Sequence, residues 1–163
     1  MSVYCEKLSP LITMQGDDFN AYLKGLYNIY VTEIANANFT FHQKPLHVFT
    51  TLNYNLQHLT FEHITTKGSN DRLYNQNRCE RIIWIKDILN KICDGCADYR
   101  VFRDRSWKQD KKVARYILWC VKEDYVIVLE ERATVVMLIT AYCIVYSNKR
   151  RELNDKYLKF SQK

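Results

Sequence analysis

A chain of 163 residues, 47% hydrophobic and 13% aromatic, is long enough to bury one core and too apolar for a disordered segment. Its 24 Lys and Arg residues against 18 Asp and Glu give a formal charge of +6, which favours an anionic partner without requiring one. No apolar run reaches the ~18 residues of a membrane span, and the sequence shows no secretory signal pattern. We therefore expect one domain over residues 1–163, with no membrane partner.

The first predicted element is a helix that begins after two aspartates, Asp17 and Asp18, which can cap its first turn. Apolar residues then recur at three- and four-residue steps from Phe19 to Ile34. The pattern predicts one broad apolar face and an end near Ala37.

Short β-rich segments follow this helix. Residues 39–42 and 46–52 are candidate edge strands, with Pro45 between them. Residues 54–60 favour neither helix nor strand. The polar stretch 65–77 is predicted to be an exposed, mobile loop.

The clearest element is a helix over residues 78–92. Ile82, Ile85 and Leu89 fall on one side of it, and Asp94-Gly95 is expected to end it.

The C-terminal part of the chain has the alternation and the turns of a sheet. Residues 99–107 are predicted to form a strand followed by a turn. Further strands are predicted over residues 114–122, 125–131 and 135–146, and a short helix over residues 149–160. Helices followed by strands predict an α+β fold, in which N-terminal helices pack on a C-terminal antiparallel β-sheet.

The six cysteines favour a reducing compartment. Cys79, Cys120 and Cys143 lie inside apolar patterns, where a thiol packs as a small hydrophobe. Cys93 and Cys96 have the spacing of half a zinc site, but no second pair of ligands has such a spacing. The sequence therefore predicts a cytoplasmic site of action, in the producing cell or in a target cell, without a metal or cofactor.

Three segments resemble the phage-associated Barnase–EndoU–Colicin–RelE-like nucleases, the BECR fold. They are the His63-Ile64 start with Arg72, the helix that begins at Arg78, and the hairpin from residue 125 to 142. Lys149-Arg-Arg before a short helix is similar too. The resemblance covers about residues 58–158, preceded by an N-terminal helical extension. It implies a small ribonuclease-like domain whose active site lies on the open face of an antiparallel sheet.

Cleavage of RNA by its own 2′-hydroxyl needs a base, an acid and cations around the phosphorane. Histidine transfers protons near neutral pH, and arginine matches phosphate oxygens with its planar fork. Hydroxyl side chains can add hydrogen bonds, and residues 140 and 142 share one strand face. The predicted catalytic residues are His63, Arg72, Arg81, Thr140 and Tyr142. The predicted RNA-binding residues are Lys67, Arg78, Lys149 and Arg150.

Several of these residues have simpler interpretations. His58 is a rival to His63 for proton transfer. Arg78 and Arg81 share a helix face and could form ion pairs with the Glu130-Glu131 corner. That corner could supply a general base, although we favour solvent-exposed charge.

The aromatic candidates for stacking on a base are Tyr74, Trp84, Trp107 and Tyr142. The sequence thus predicts a metal-independent endoribonuclease, a toxin or phage effector that cleaves RNA such as tRNA. The alternative is a catalytically silent module of the same fold that binds RNA or a protein. A toxin implies an acidic antitoxin or immunity protein as partner.

Overall fold

The computed structural model describes residues 6–68, 72–106 and 113–161, so the predicted loop residues 69–71 and the stacking candidate Trp107 lie outside it. Helix α1, Phe19–Tyr30, begins where expected, because the Asp18 carboxylate accepts a hydrogen bond of 3.0 Å from the backbone N–H of Ala21. A π-helical turn, Val31–Ala35, continues it, so the predicted end is confirmed.

The two candidate edge strands are present, although the second ends at His47 and not at residue 52. Strands β1, Thr40–Phe41, and β2, Lys44–His47, form a hairpin. Helix α2, Leu59–Thr65, starts in the ambiguous segment. Residues 65–77 were predicted to be a loop, and this prediction was wrong, because β3, Thr66–Lys67, pairs with β4, Leu73–Tyr74.

The predicted helix over residues 78–92 is two helices. Helix α3, Gln76–Glu80, is capped by the Asn75 side chain, and α4, Ile82–Leu89, follows after a break. At the break Arg81 has φ −106° and ψ 11°, outside the usual helical values.

The predicted C-terminal strands and helix are confirmed with small changes in their bounds. The strands are β5, Tyr99–Arg103, β6, Ala114–Cys120, β7, Tyr125–Glu131, and β8, Val136–Cys143, and the helix is α5, Ser147–Phe160.

The six-stranded sheet has the order β1-β2-β8-β7-β6-β5. Strands β5 to β8 are antiparallel as predicted, whereas β2 pairs with β8 in parallel, so the sheet is mixed. The α+β class is confirmed. Within the described residues, no helix has the length and apolar character needed to cross a membrane.

Side chains alternate between the two faces of the sheet. On the first face Tyr125, Ile127 and Leu129 join the main core, which contains the apolar residues of α1, α2 and α4. On the second face Val126 and Val128 belong to a smaller core closed by α5. Arg115, Glu130, Thr140 and Tyr142 also lie on the second face, and the candidate site is there.

Candidate active site

A cavity of about 530 Å³ opens on this second face, and we call it the arginine cavity. Its lining residues are Phe49, His63, Gly68, Arg72, Arg78, Arg115, Glu130, Arg132, Ile139, Thr140 and Tyr142. Four guanidiniums and one carboxylate thus line the same space, an excess of three positive charges. A concave site with that excess is suited to an anion.

Arg72 is held by the backbone of the β3–β4 hairpin. Its Nε donates to Thr66 Oγ1 over 2.7 Å and its Nη2 to the Thr66 carbonyl oxygen over 3.0 Å. Its Nη1 donates to the carbonyl oxygen of Gly68. These bonds use three of the five N–H donors of a guanidinium, and the other two donate to no described residue.

Arg78 reaches the cavity from α3. Its Nη1 donates to the carbonyl oxygens of His63 and Thr66, over 2.9 and 2.7 Å. Its Nε and Nη2 donate to no other described residue, so three N–H donors remain. Asn75 fixes the start of the helix, because its side chain accepts from the Arg78 backbone N–H over 3.0 Å.

The two arginines meet at one atom, because the Thr66 carbonyl oxygen accepts from both Arg72 and Arg78. Neither guanidinium forms an ion pair with a carboxylate of the described residues. Burial, and secondly the charge of Arg72, lower the pKa of Arg78. Like charges held together without a counterion are costly, and an anionic ligand would relieve the repulsion.

The imidazole of His63 lies beside these cations, in the last turn of α2. Burial lowers the pKa of His63 below its usual 6.5, and the nearby charges of Arg72 and Arg78 lower it further against the opposing effect of Glu62. The ring is therefore neutral at pH 7 and can accept a proton. No other described residue forms a hydrogen bond with this ring.

Thr140 has a different contact from the one expected. Its hydroxyl donates to the carbonyl oxygen of His63 over 2.8 Å. A hydroxyl has one donor, so Thr140 cannot at the same time donate to a phosphate. It is a positioning residue for His63. A β-bulge precedes it, since Val128 pairs with Thr140 while Leu129 pairs with Leu138.

Tyr142 lies on the same strand face as Thr140, as predicted. The guanidinium carbon of Arg78 lies 5.8 Å from the centre of its ring. Burial raises the pKa of Tyr142, although Arg78 opposes the change, so the phenol keeps its proton at neutral pH. The phenol can therefore donate a hydrogen bond to an anion.

The favoured interpretation of Glu130 as solvent-exposed charge was wrong. The residue is 7% exposed, and its carboxylate lies 3.3 Å from Arg115 Nε and 2.9 Å from Arg132 Nη2. The strand register explains this, because Arg115 on β6 stands opposite Glu130 on β7. Glu131 points to the opposite face of the strand, where its carboxylate lies 2.6 Å from His42 Nδ1.

Two of the catalytic candidates, Arg81 and the rival His58, lie outside the arginine cavity. Arg81 donates to the backbone and side-chain oxygens of Asn77, lies 3.9 Å from Glu80 Oε2 and covers the Trp84 ring. The break before α4 separates Arg81 from Arg78. Arg78, and not Arg81, therefore lines the cavity. His58 Nδ1 is 3.1 Å from the Tyr30 hydroxyl, and the residue does not line the cavity.

A second cavity of about 400 Å³ lies beside the first, and we call it the tyrosine cavity. Its lining residues are Lys67, Asn75, Asn77, Arg78, Asp104, Ile117, Tyr142, Cys143, Ile144, Val145, Tyr146, Lys149, Glu152, Leu153 and Lys156. It contains three of the four predicted RNA-binding residues. The fourth, Arg150, lies 3.3 Å from Asp124 and lines neither cavity.

Only one described stacking candidate is placed to meet a ligand. Tyr142 lines both cavities. Trp84 is 1% exposed, and Tyr74 packs against Phe19 with ring centres 5.3 Å apart.

Sequence reasoning missed Arg115 and Arg132 as site residues. Arg115 could have been found, because it is a charged residue inside a predicted strand. Alternation places its side chain on the same face as Ile117 and Trp119.

The cysteines of the described residues are all free. In the same part of the chain, no group of three or more His, Cys, Asp or Glu side chains is arranged to hold a metal ion. Comparisons with family models, with curated proteins and with solved structures find no match for this chain.

Proposed function

We propose that the protein is a metal-independent endoribonuclease whose scissile phosphate binds in the arginine cavity. The observation that carries the proposal is the pair Arg72 and Arg78, which share the Thr66 carbonyl oxygen next to a neutral His63. Their five remaining N–H donors and lack of a carboxylate partner among the described residues match the needs of a phosphoryl group.

The chemistry uses the 2′-hydroxyl of the RNA as nucleophile. His63 takes the 2′ proton as the 2′ oxygen bonds to phosphorus, and the two arginines stabilise the charge on the phosphorane. The bond from phosphorus to the 5′ oxygen then breaks, and Tyr142 donates its proton to that oxygen. The products are a 2′,3′-cyclic phosphate and a 5′-hydroxyl, and solvent restores the protonation of both side chains.

The setting of the proposal comes from the sequence resemblance of three segments to BECR nucleases, which implies a cytoplasmic toxin or phage effector with tRNA among its substrates. A partner that inhibits it would be an acidic antitoxin or immunity protein, because the excess positive charge of the arginine cavity favours a complementary surface.

The test is cleavage of total tRNA in the presence of EDTA by the wild type, His63→Gln and His58→Gln. We expect cleavage by the wild type and by His58→Gln, and a loss of at least a hundredfold for His63→Gln. His58→Gln is the matched control, because both residues are half-buried histidines of the same segment.

Cleavage that EDTA abolishes would contradict the mechanism. Binding of tRNA without cleavage by the wild type would favour the alternative, a silent RNA-binding module. Loss of cleavage in His58→Gln alone would move the base to the rival histidine.

A further inference from the structure

The arginine and tyrosine cavities adjoin, because Arg78 and Tyr142 line both. A ligand bound to Arg78 in the first cavity therefore has a neighbouring space within reach. The second space is less charged, since the ammonium group of Lys156 lies 3.5 Å from Asp104 and 3.8 Å from Glu152.

The tyrosine cavity has apolar and aromatic walls. Ile117 and Leu153 are buried residues of the core under α5, and they form part of its lining. Tyr146, at the start of α5, is 63% exposed, so its ring is open to a ligand. The ammonium group of Lys67 lies 5.8 Å from the centre of that ring.

Flat aromatic ligands suit this arrangement. Proteins hold single nucleobases by stacking them on aromatic rings, by placing cations beside those rings and by lining the floor of the pocket with apolar side chains. The amides of Asn75 and Asn77 also line the cavity and offer hydrogen-bonding groups for the edge of a base. The volume is within the range of small-molecule sites.

We propose that the tyrosine cavity binds one unpaired nucleobase of the RNA whose phosphate occupies the arginine cavity, so the substrate is single-stranded RNA. The proposal rests on the ribonuclease function proposed above. A base inside a duplex would first have to leave its stack to enter the cavity, which costs free energy.

The test is a binding measurement that does not require cleavage. Fluorescence anisotropy would follow a labelled 2′-O-methyl RNA strand, which cannot be cleaved, in three forms: single-stranded, duplex and abasic. The proteins are the full-length wild type, Tyr146→Ala, Tyr146→Phe and Tyr54→Ala. Tyr54 is a fully exposed tyrosine that lines neither cavity, so its variant is the matched control.

We expect the wild type to bind the single strand at least tenfold more tightly than the duplex or the abasic strand. Tyr146→Ala should weaken binding of the single strand about tenfold and leave the abasic strand unchanged. Tyr146→Phe and Tyr54→Ala should bind as the wild type does. Because Tyr146 is exposed, its replacement is not expected to unfold the protein.

Equal affinity of the wild type for the single strand and the abasic strand would overturn the proposal, as would no detectable binding of the single strand. An equal loss for Tyr146→Ala on both strands would also overturn it. The two proposals fail separately. Binding that depends on the nucleobase, without cleavage of unmodified tRNA, would contradict the proposed ribonuclease function and support the nucleobase site. Cleavage without binding that depends on the nucleobase would contradict the nucleobase site alone.

Discussion

Thr140 and His63 are joined by a hydrogen bond of 2.8 Å that runs from the Thr140 hydroxyl to the His63 backbone carbonyl, not to its ring. The bond connects β8 to the last turn of α2, and it fixes the peptide that carries the imidazole. From the sequence, Thr140 is expected to contact the phosphate. In the structure it instead positions His63, the proposed general base.

Thr140→Val should test this role. Valine has nearly the shape of threonine but cannot donate, so a hydrogen bond worth ~1 kcal/mol is lost and kcat should fall about fivefold. KM should change little, and Thr140→Ser should behave as the wild type. A rise in KM with unchanged kcat would show instead that the hydroxyl contacts substrate.

The charge of Arg72 should be visible in the titration of His63. A neighbouring cation disfavours the protonated imidazole, so the pKa of His63 is lowered, and Arg72→Gln should raise it toward 6.5. NMR of the imidazole Cε1–H signals measures this change without substrate. Lys67→Gln, which also removes a cation from the β3–β4 hairpin, is the control. A His63 pKa that stays the same or falls in Arg72→Gln would contradict the arrangement.

Arg78 and Arg81 should differ strongly in activity. Arg78→Lys keeps the charge but removes the guanidinium, whose Nη1 holds two carbonyl oxygens while Nε and Nη2 are left for phosphate, so cleavage should fall about a hundredfold. Arg81→Lys, its matched control three residues away, should keep cleavage within a few-fold of the wild type. The reverse order would return Arg81 to the catalytic set.

Glu130 should matter for stability more than for chemistry. Glu130→Gln removes the buried carboxylate that lies between the guanidiniums of Arg115 and Arg132, and we expect a loss of about 2 kcal/mol in the free energy of unfolding. Because both arginines are partly exposed, this figure is below that for fully buried pairs.

Inorganic phosphate should stabilise Glu130→Gln more than the wild type, since the excess charge of the arginine cavity rises from three to four. Urea unfolding with and without phosphate measures both effects, with Glu131→Gln as the control. A variant that is as stable as the wild type and does not respond to phosphate would contradict the ion-pair assignment.

Much of the fold follows from local patterns. The Asp18 cap and the apolar period predict α1, and the run from Tyr125 to Glu131 predicts β7 with its observed bounds. The parallel pairing of β2 with β8 joins Leu46 to Val136 across most of the chain, and no local pattern contains that information.

Part of the site was also predictable from the sequence, through the chemistry of its side chains. His63, Arg72, Thr140 and Tyr142 come together as expected from their chemistry. The choice between Arg78 and Arg81 depended on an unbroken helix, in which residues three apart share a face. The apolar period runs through the break at Arg81, so periodicity could not reveal that the two side chains diverge.

The β-bulge in β8 has a consequence for how this surface can change. Ile139 is one residue more than the pairing with β7 requires, because Val128 pairs with Thr140 and Leu129 with Leu138. Deletion of Ile139 would keep every pair of the ladder and every polar side chain of the arginine cavity, yet remove the extra twist that a bulge gives a strand. The contact between Thr140 and the helix thus depends on the length of the strand, and a one-residue deletion would separate the two without removing a polar side chain from the site.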